Sequence, residues 1–106
     1  MRLVSIALIV LAPLVVGCGP ATKSAAGIVV AVDQASVTEI RNFTLRTETG
    51  DMLTFRIGAL DVSSGAFPAN HLREHMAVVS AVAVAYTDAD GVLIAVRLVD
   101  APWLQQ

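Results

Sequence analysis

The chain has 106 residues, 56% of them apolar, with 7 basic against 9 acidic side chains and a net charge of −2. That balance excludes the phosphate-neutralising surface from which nucleic-acid binders draw most of their affinity, and it offers no polybasic patch for anionic lipid. A single cysteine excludes an intramolecular disulfide.

Arg2 supplies a short positive start, and Leu3 to Val16 is apolar apart from Ser5 and Pro13. This 14-residue run has the length of a signal-peptide core. It falls short of the roughly 18 to 20 residues that a membrane-spanning helix needs. Pro13 disfavours continuous helix and leaves extended backbone near the end of the run. Gly17 is small, as cleavage requires of the residue before a cut, and Cys18 follows it directly.

The run Val15-Val16-Gly17-Cys18 resembles the lipobox of bacterial lipoprotein precursors. The resemblance covers residues 1 to 18. It implies a signal peptide over 1–17, removed by a cut before Cys18, and a diacylglycerol thioether on the Cys18 sulfur, with a third chain allowed on the freed amine. Two or three chains, at about 0.8 kcal/mol per buried methylene, anchor a small domain where one chain would be marginal. The implied address is the extracytoplasmic side of a cell membrane or outer membrane. Gly19 stands after the cysteine, so the aspartate that retains enterobacterial lipoproteins at the inner membrane is absent. An ordinary secretory signal with a chance cysteine and an uncleaved anchor are the competing readings.

Removing 17 residues leaves 89, enough for one small domain. Arg2 is the only charge removed, so the remainder carries 6 basic and 9 acidic residues. Cys18 to Ala26 reads as the lipidated cysteine and a flexible spacer of Gly, Pro, Thr, Lys, Ser and Ala without hydrophobic period. The domain is then expected over 27–106. Ile28-Val29-Val30-Ala31-Val32 is a β-branched first strand, and Asp33 to Ile40 a polar loop or bulged continuation. Asn42 to Thr47 and Met52 to Ile57 alternate around Glu48-Thr49-Gly50-Asp51, which predicts a hairpin with Phe43, Leu45, Leu53, Phe55 and Ile57 inward.

Gly58 to Gly65 reads as a loop, and Phe67 to Met76 as a short helix entered at Pro68 or Asn70, with Leu72 and Met76 on its buried face. Val78 to Thr87 and Val92 to Val99 read as a last hairpin turning at Asp88-Ala89-Asp90-Gly91. The expected inward sets are Val82, Val84 and Tyr86 on the first strand, and Val92, Ile94, Val96 and Leu98 on the second. Ala101 to Gln106 is a tail from which Trp103 can fold back. A short helix between the third and fourth of five strands is the element order of the OB-fold. The fold class is therefore all-β with one short helix, a small five-stranded OB-like barrel. An open five-stranded sheet and an SH3-like barrel fit the same order. The segment Arg56 to Met76 also resembles parts of small uncharacterised bacterial exported proteins, which carry no activity with them.

Chemistry-bearing residues are few. His71 and His75, four apart on one helical face, have the spacing to pinch a metal ion. They supply only two ligands, and His-Glu-x-x-His is absent. Asp88 and Asp90 lack the further oxygens of a calcium loop, and the hairpin turn accounts for them. Ser63 and Ser64 stand outside any Gly-x-Ser-x-Gly pattern, and Cys18 is consumed by lipid. Nothing in the spacing pairs Asp61 with Glu74 for acid–base work. No enzyme and no cofactor is expected. Thr44, Arg46, Thr54 and Arg56 form an outward hairpin face, and with His71, Arg73 and His75 the two arginines are the expected partner contacts. The function expected is a membrane-anchored binding or structural module for an envelope protein, a peptide or a saccharide. A metal or haem carrier using His71 and His75 is the alternative.

Overall fold

Strand pairing begins earlier than the side-chain pattern does. In the computed structural model, which describes residues 21–101, strand β1 runs Lys23–Gln34. The segment 23–26, expected as spacer, is thus its first third. Its small residues show no alternation, but backbone pairing needs none: Lys23 to Ile28 pair with Tyr86 to Ala81 of β4 (Ala81–Ala89). From Gly27 onward β1 pairs instead with β2 (Ile40–Thr47). Gly27 and Ile28 serve both neighbours, so β1 bends there and closes the sheet. Cys18 and the 1–17 segment lie outside the described residues.

Strand β2 pairs with β3 (Met52–Ile57) in the expected register, Phe43 opposite Phe55 and Leu45 opposite Leu53. Gly50, at φ 92°, makes the turn. Strand β3 then runs parallel to β5 (Val92–Asp100), with Phe55, Arg56 and Ile57 opposite Leu93, Ile94 and Ala95. Antiparallel pairing of β4 with β5 completes a closed barrel in the order β1-β2-β3-β5-β4. This is the predicted OB-like barrel. Closure leaves no edge for so valine-rich a sheet to expose.

The segment after β3 follows β5 rather than leaving it. Gly58 N–H donates to Ala95 O, Asp61 N–H to Val96 O and Phe67 N–H to Leu98 O. A 3₁₀ turn, Ala69–His71, leads into helix α1, Leu72–Val78. The expected helix, 67–76, is displaced by two residues, and Val78 to Ser80 are not strand. The Ser80 N–H donates to His75 O and ties off the helix end, so β4 starts only at Ala81. Leu72 is fully buried and Met76 packs on the core.

The inward set of β5 differs from expectation. Leu93, Ala95 and Leu98 face the core, whereas Val92 is 38% exposed and Ile94 and Val96 are half-buried outside. A bulge opposite the Ala85–Tyr86 step sets Arg97 against Ala85 and Ala95 against Tyr86. The extra residue, Val96, lets Ala95 and Leu98 share a face though three apart. Five apolar residues in a row, 92–96, hide that phase from pattern reading. The core centres on Phe43 and Phe55, stacked at 5.2 Å, with the Tyr86 ring edge-on to Phe55 at 5.0 Å.

Candidate functional site

The barrel has two chemically different ends. One carries the start of β1 and the β2–β3 and β4–β5 turns, with Lys23 3.9 Å from Asp88. The other carries the β1–β2 loop, α1 and the end of β5.

At the turn end lies a shallow groove of about 410 Å³. It opens because β1 leaves β2 at Gly27 to follow β4. Its floor is Ala25, Leu53 and Tyr86, which also pack on the core, and its exposed rim is Glu48, Thr49 and Asp51. The rim is partly self-satisfied: the Thr49 hydroxyl donates to Asp51 Oδ2 at 3.2 Å and lies 3.0 Å from that of Thr47. Arg46 lines a smaller adjoining depression with Gly27, Ile28 and Glu48. The groove therefore offers an aromatic and aliphatic base with hydroxyl, carboxylate and guanidinium groups at its edge.

The outer face of the hairpin is as the alternation predicts. Thr44 and Thr54 are bonded hydroxyl to hydroxyl at 2.9 Å, and Arg46 and Arg56 are exposed. Arg46 stands beside the β2–β3 turn, opposite Met52. Arg56, one residue before the end of β3, pairs with Asn42. Among the described residues no salt bridge engages Arg46, Arg56 or Arg73.

His71, Arg73 and His75 stand apart from this face, at the helix end. Both imidazoles lie nearly parallel to the Phe67 ring, His71 at 5.9 Å and 21°, His75 at 4.5 Å and 15°. His71 is exposed, whereas the His75 side chain is only 13% exposed. His75 Nδ1 is 3.0 Å from His71 O, and Nε2 is 2.6 Å from Asp100 Oδ1. Each ring nitrogen thus faces an oxygen of the protein itself. Coordination of a metal by His75 would require breaking one of these bonds. Among the described residues no three His, Cys, Asp or Glu side chains cluster closely enough to hold an ion.

The five expected contact residues thus fall into two groups at different places, not one site. Asp100, the partner of His75, and the groove floor escaped the sequence reading. Asp100 is 25 positions from His75, and only the β4–β5 register brings it there. The groove depends on β1 continuing back to Lys23, for which Ser24-Ala25-Ala26 gives no side-chain signal. Asp61, for which the spacing gives no acid–base pairing with Glu74, accepts the Ser63 hydroxyl at 2.6 Å and the Ser63 N–H at 3.0 Å. Arg97 Nη1 also donates to it at 3.2 Å. The Ser63 hydroxyl, then the Ser63 N–H and Arg97, hold its carboxyl below the ordinary value of 3.8.

No family model matches this sequence, and no curated protein or solved structure resembles it at a significant level.

Proposed function

We propose that the protein is a cell-envelope lipoprotein, anchored through Cys18, whose small barrel acts as a binding or structural module. The observation that carries this reading is the Gly17-Cys18 pair closing a 14-residue apolar run. Among the described residues no helix is long and apolar enough to cross a membrane. Held by lipid, the barrel has a defined attitude. Four residues stand between Cys18 and Lys23, so the five chain steps reach at most about 17 Å. The end bearing the turns and the groove then faces the lipid, and the helix end faces away. Glu48, Asp51, Asp88 and Asp90 at the turn end repel anionic headgroups, so the barrel stands off rather than lying on the surface.

The mechanism is display. The acyl chains fix the module at the membrane, and its hairpin face and groove meet a polar partner: an envelope protein, a peptide or a saccharide. Arg46 joins the two surfaces and is the first residue to substitute. In OB-folds generally the face of the second and third strands does the binding, a fold-level analogy that agrees with this choice. No nucleic-acid role is proposed, because the groove rim is acidic.

Labelling of expressing bacteria with radioactive palmitate tests the anchor. The wild-type chain incorporates label and its precursor accumulates under globomycin. Cys18→Ser abolishes both effects. Label retained by Cys18→Ser contradicts the proposal.

A further inference from the structure

The barrel closes at Gly27 and Ile28, which pair on both sides, and ahead of them β1 overhangs. Among the described residues Lys23 to Ala26 pair with β4 alone, because β2 ends at Thr47. Hydrogen bonds on either side fix which backbone groups the overhang leaves free. The Thr47 N–H donates to Asp51 O, and Thr47 O accepts the Gly50 N–H. Thr47 is thus engaged by the β2–β3 turn, and Arg46 directs its backbone groups the other way, to Ile28. On the far side Ala81 O accepts the Ala101 N–H, so Val82 and Val84 direct theirs to Gly27 and Ala25. Strand alternation then aims the N–H and C=O of Ser24 and Ala26 away from β4. Both residues line the groove.

Such an edge matches the backbone of another extended chain. Ser24 and Ala26 are two residues apart, about 6.8 Å, which is the repeat of a strand. The hydroxyls of a saccharide follow its rings instead. An added strand continues the line that β2 leaves, with its inward side chains over Ala25, Leu53 and Tyr86. On the rim Glu48 and Asp51 are exposed, and among the described residues no salt bridge engages either. Lys23, the cation of the overhang, is held 3.9 Å from Asp88. Arg46 lines the adjoining depression rather than the groove. The rim therefore favours Lys or Arg on the incoming chain.

We propose that the groove takes up an extended basic peptide as an added strand on the Ser24–Ala26 edge. This rests on the reading of the groove as a binding surface and names its partner. It is independent of lipidation.

The probe is a short, end-blocked peptide of alternating lysine and valine, titrated into the isotope-labelled full chain in non-ionic detergent. The amide resonances of Ser24 and Ala26 are expected to shift and their hydrogen exchange to slow. Only one edge of an added strand donates to β1. N-methylation of every second probe residue should therefore abolish binding in one phase and spare it in the other. Glu48→Gln/Asp51→Asn should weaken the lysine probe about tenfold. Ser24→Pro removes one donor from the open edge and none from the β4 ladder. It should weaken binding with the far-UV CD spectrum unchanged. Binding that survives N-methylation in both phases overturns the proposal, because charge alone then accounts for it. So does a chito-oligosaccharide that shifts these resonances where the peptide does not, although the groove then remains a binding surface. If neither ligand shifts them, this proposal and the groove's part in the proposed function fail together.

Discussion

Gly27 has no room for a side chain. A Cβ built on it would sit 2.1 Å from the Arg46 carbonyl oxygen, where β1 passes from one neighbour to the other. Gly27→Ala therefore forces the two backbones apart at the seam of the barrel. The expected cost is about 1–3 kcal/mol, read as a lower urea midpoint. The two histidines make a contrasting pair. His75→Ala loses a stacked, mostly buried ring and its bonds to His71 O and Asp100, and should cost about 1–3 kcal/mol. His71→Ala removes an exposed ring and should stay within about 0.5 kcal/mol. Equal effects in thermal or urea melts would contradict the different structural roles of the two rings. The i, i+4 spacing in the sequence made them look equivalent. Their difference comes from Asp100, which is remote in sequence and marked by no pattern.

At the level of elements, the legible parts were those with alternation or turn chemistry. The β2–β3 hairpin, with Phe43 opposite Phe55, followed from both. The start of β1, the start of β4 and the phase of β5 did not. In each case the residues were uniformly small or uniformly apolar, and backbone partners decided. The segment after β3 is a loop, as the sequence predicts, and it is bonded along β5 and locked by Asp61, Ser63 and Arg97, with Arg97 Nη2 also donating to Ser64 O at 2.8 Å. The lock is pH-dependent with a definite sign. The folded carboxyl of Asp61 titrates below its ordinary 3.8. Its contribution is therefore complete above that value and is lost as pH falls through the lower folded value. Urea midpoints of wild type and Asp61→Asn should differ near neutral pH and converge in acid. A gap that widens on acidification would contradict the lock.

For the whole molecule, element order alone pointed to an OB-like barrel, because a helix between the third and fourth of five strands leaves few ways to close a sheet. Function was less legible. The groove is built from three separated segments and so has no local signature. Residue type alone marks the five candidate contacts, and they lie on two surfaces. The proposed address rests instead on a local signal, since a processing site must be read by enzymes that see an unfolded chain. In the proposed arrangement lipid at Cys18 and at most about 17 Å of chain hold the closed barrel with its turn end toward the membrane. Its most direct test is the intact mass of the protein extracted from membranes of expressing bacteria. The prediction is a chain beginning at Cys18 and heavier than its sequence by a diacylglyceryl group, with or without a third acyl chain on the freed amine. A chain that retains residues 1–17 with an unmodified thiol would contradict it.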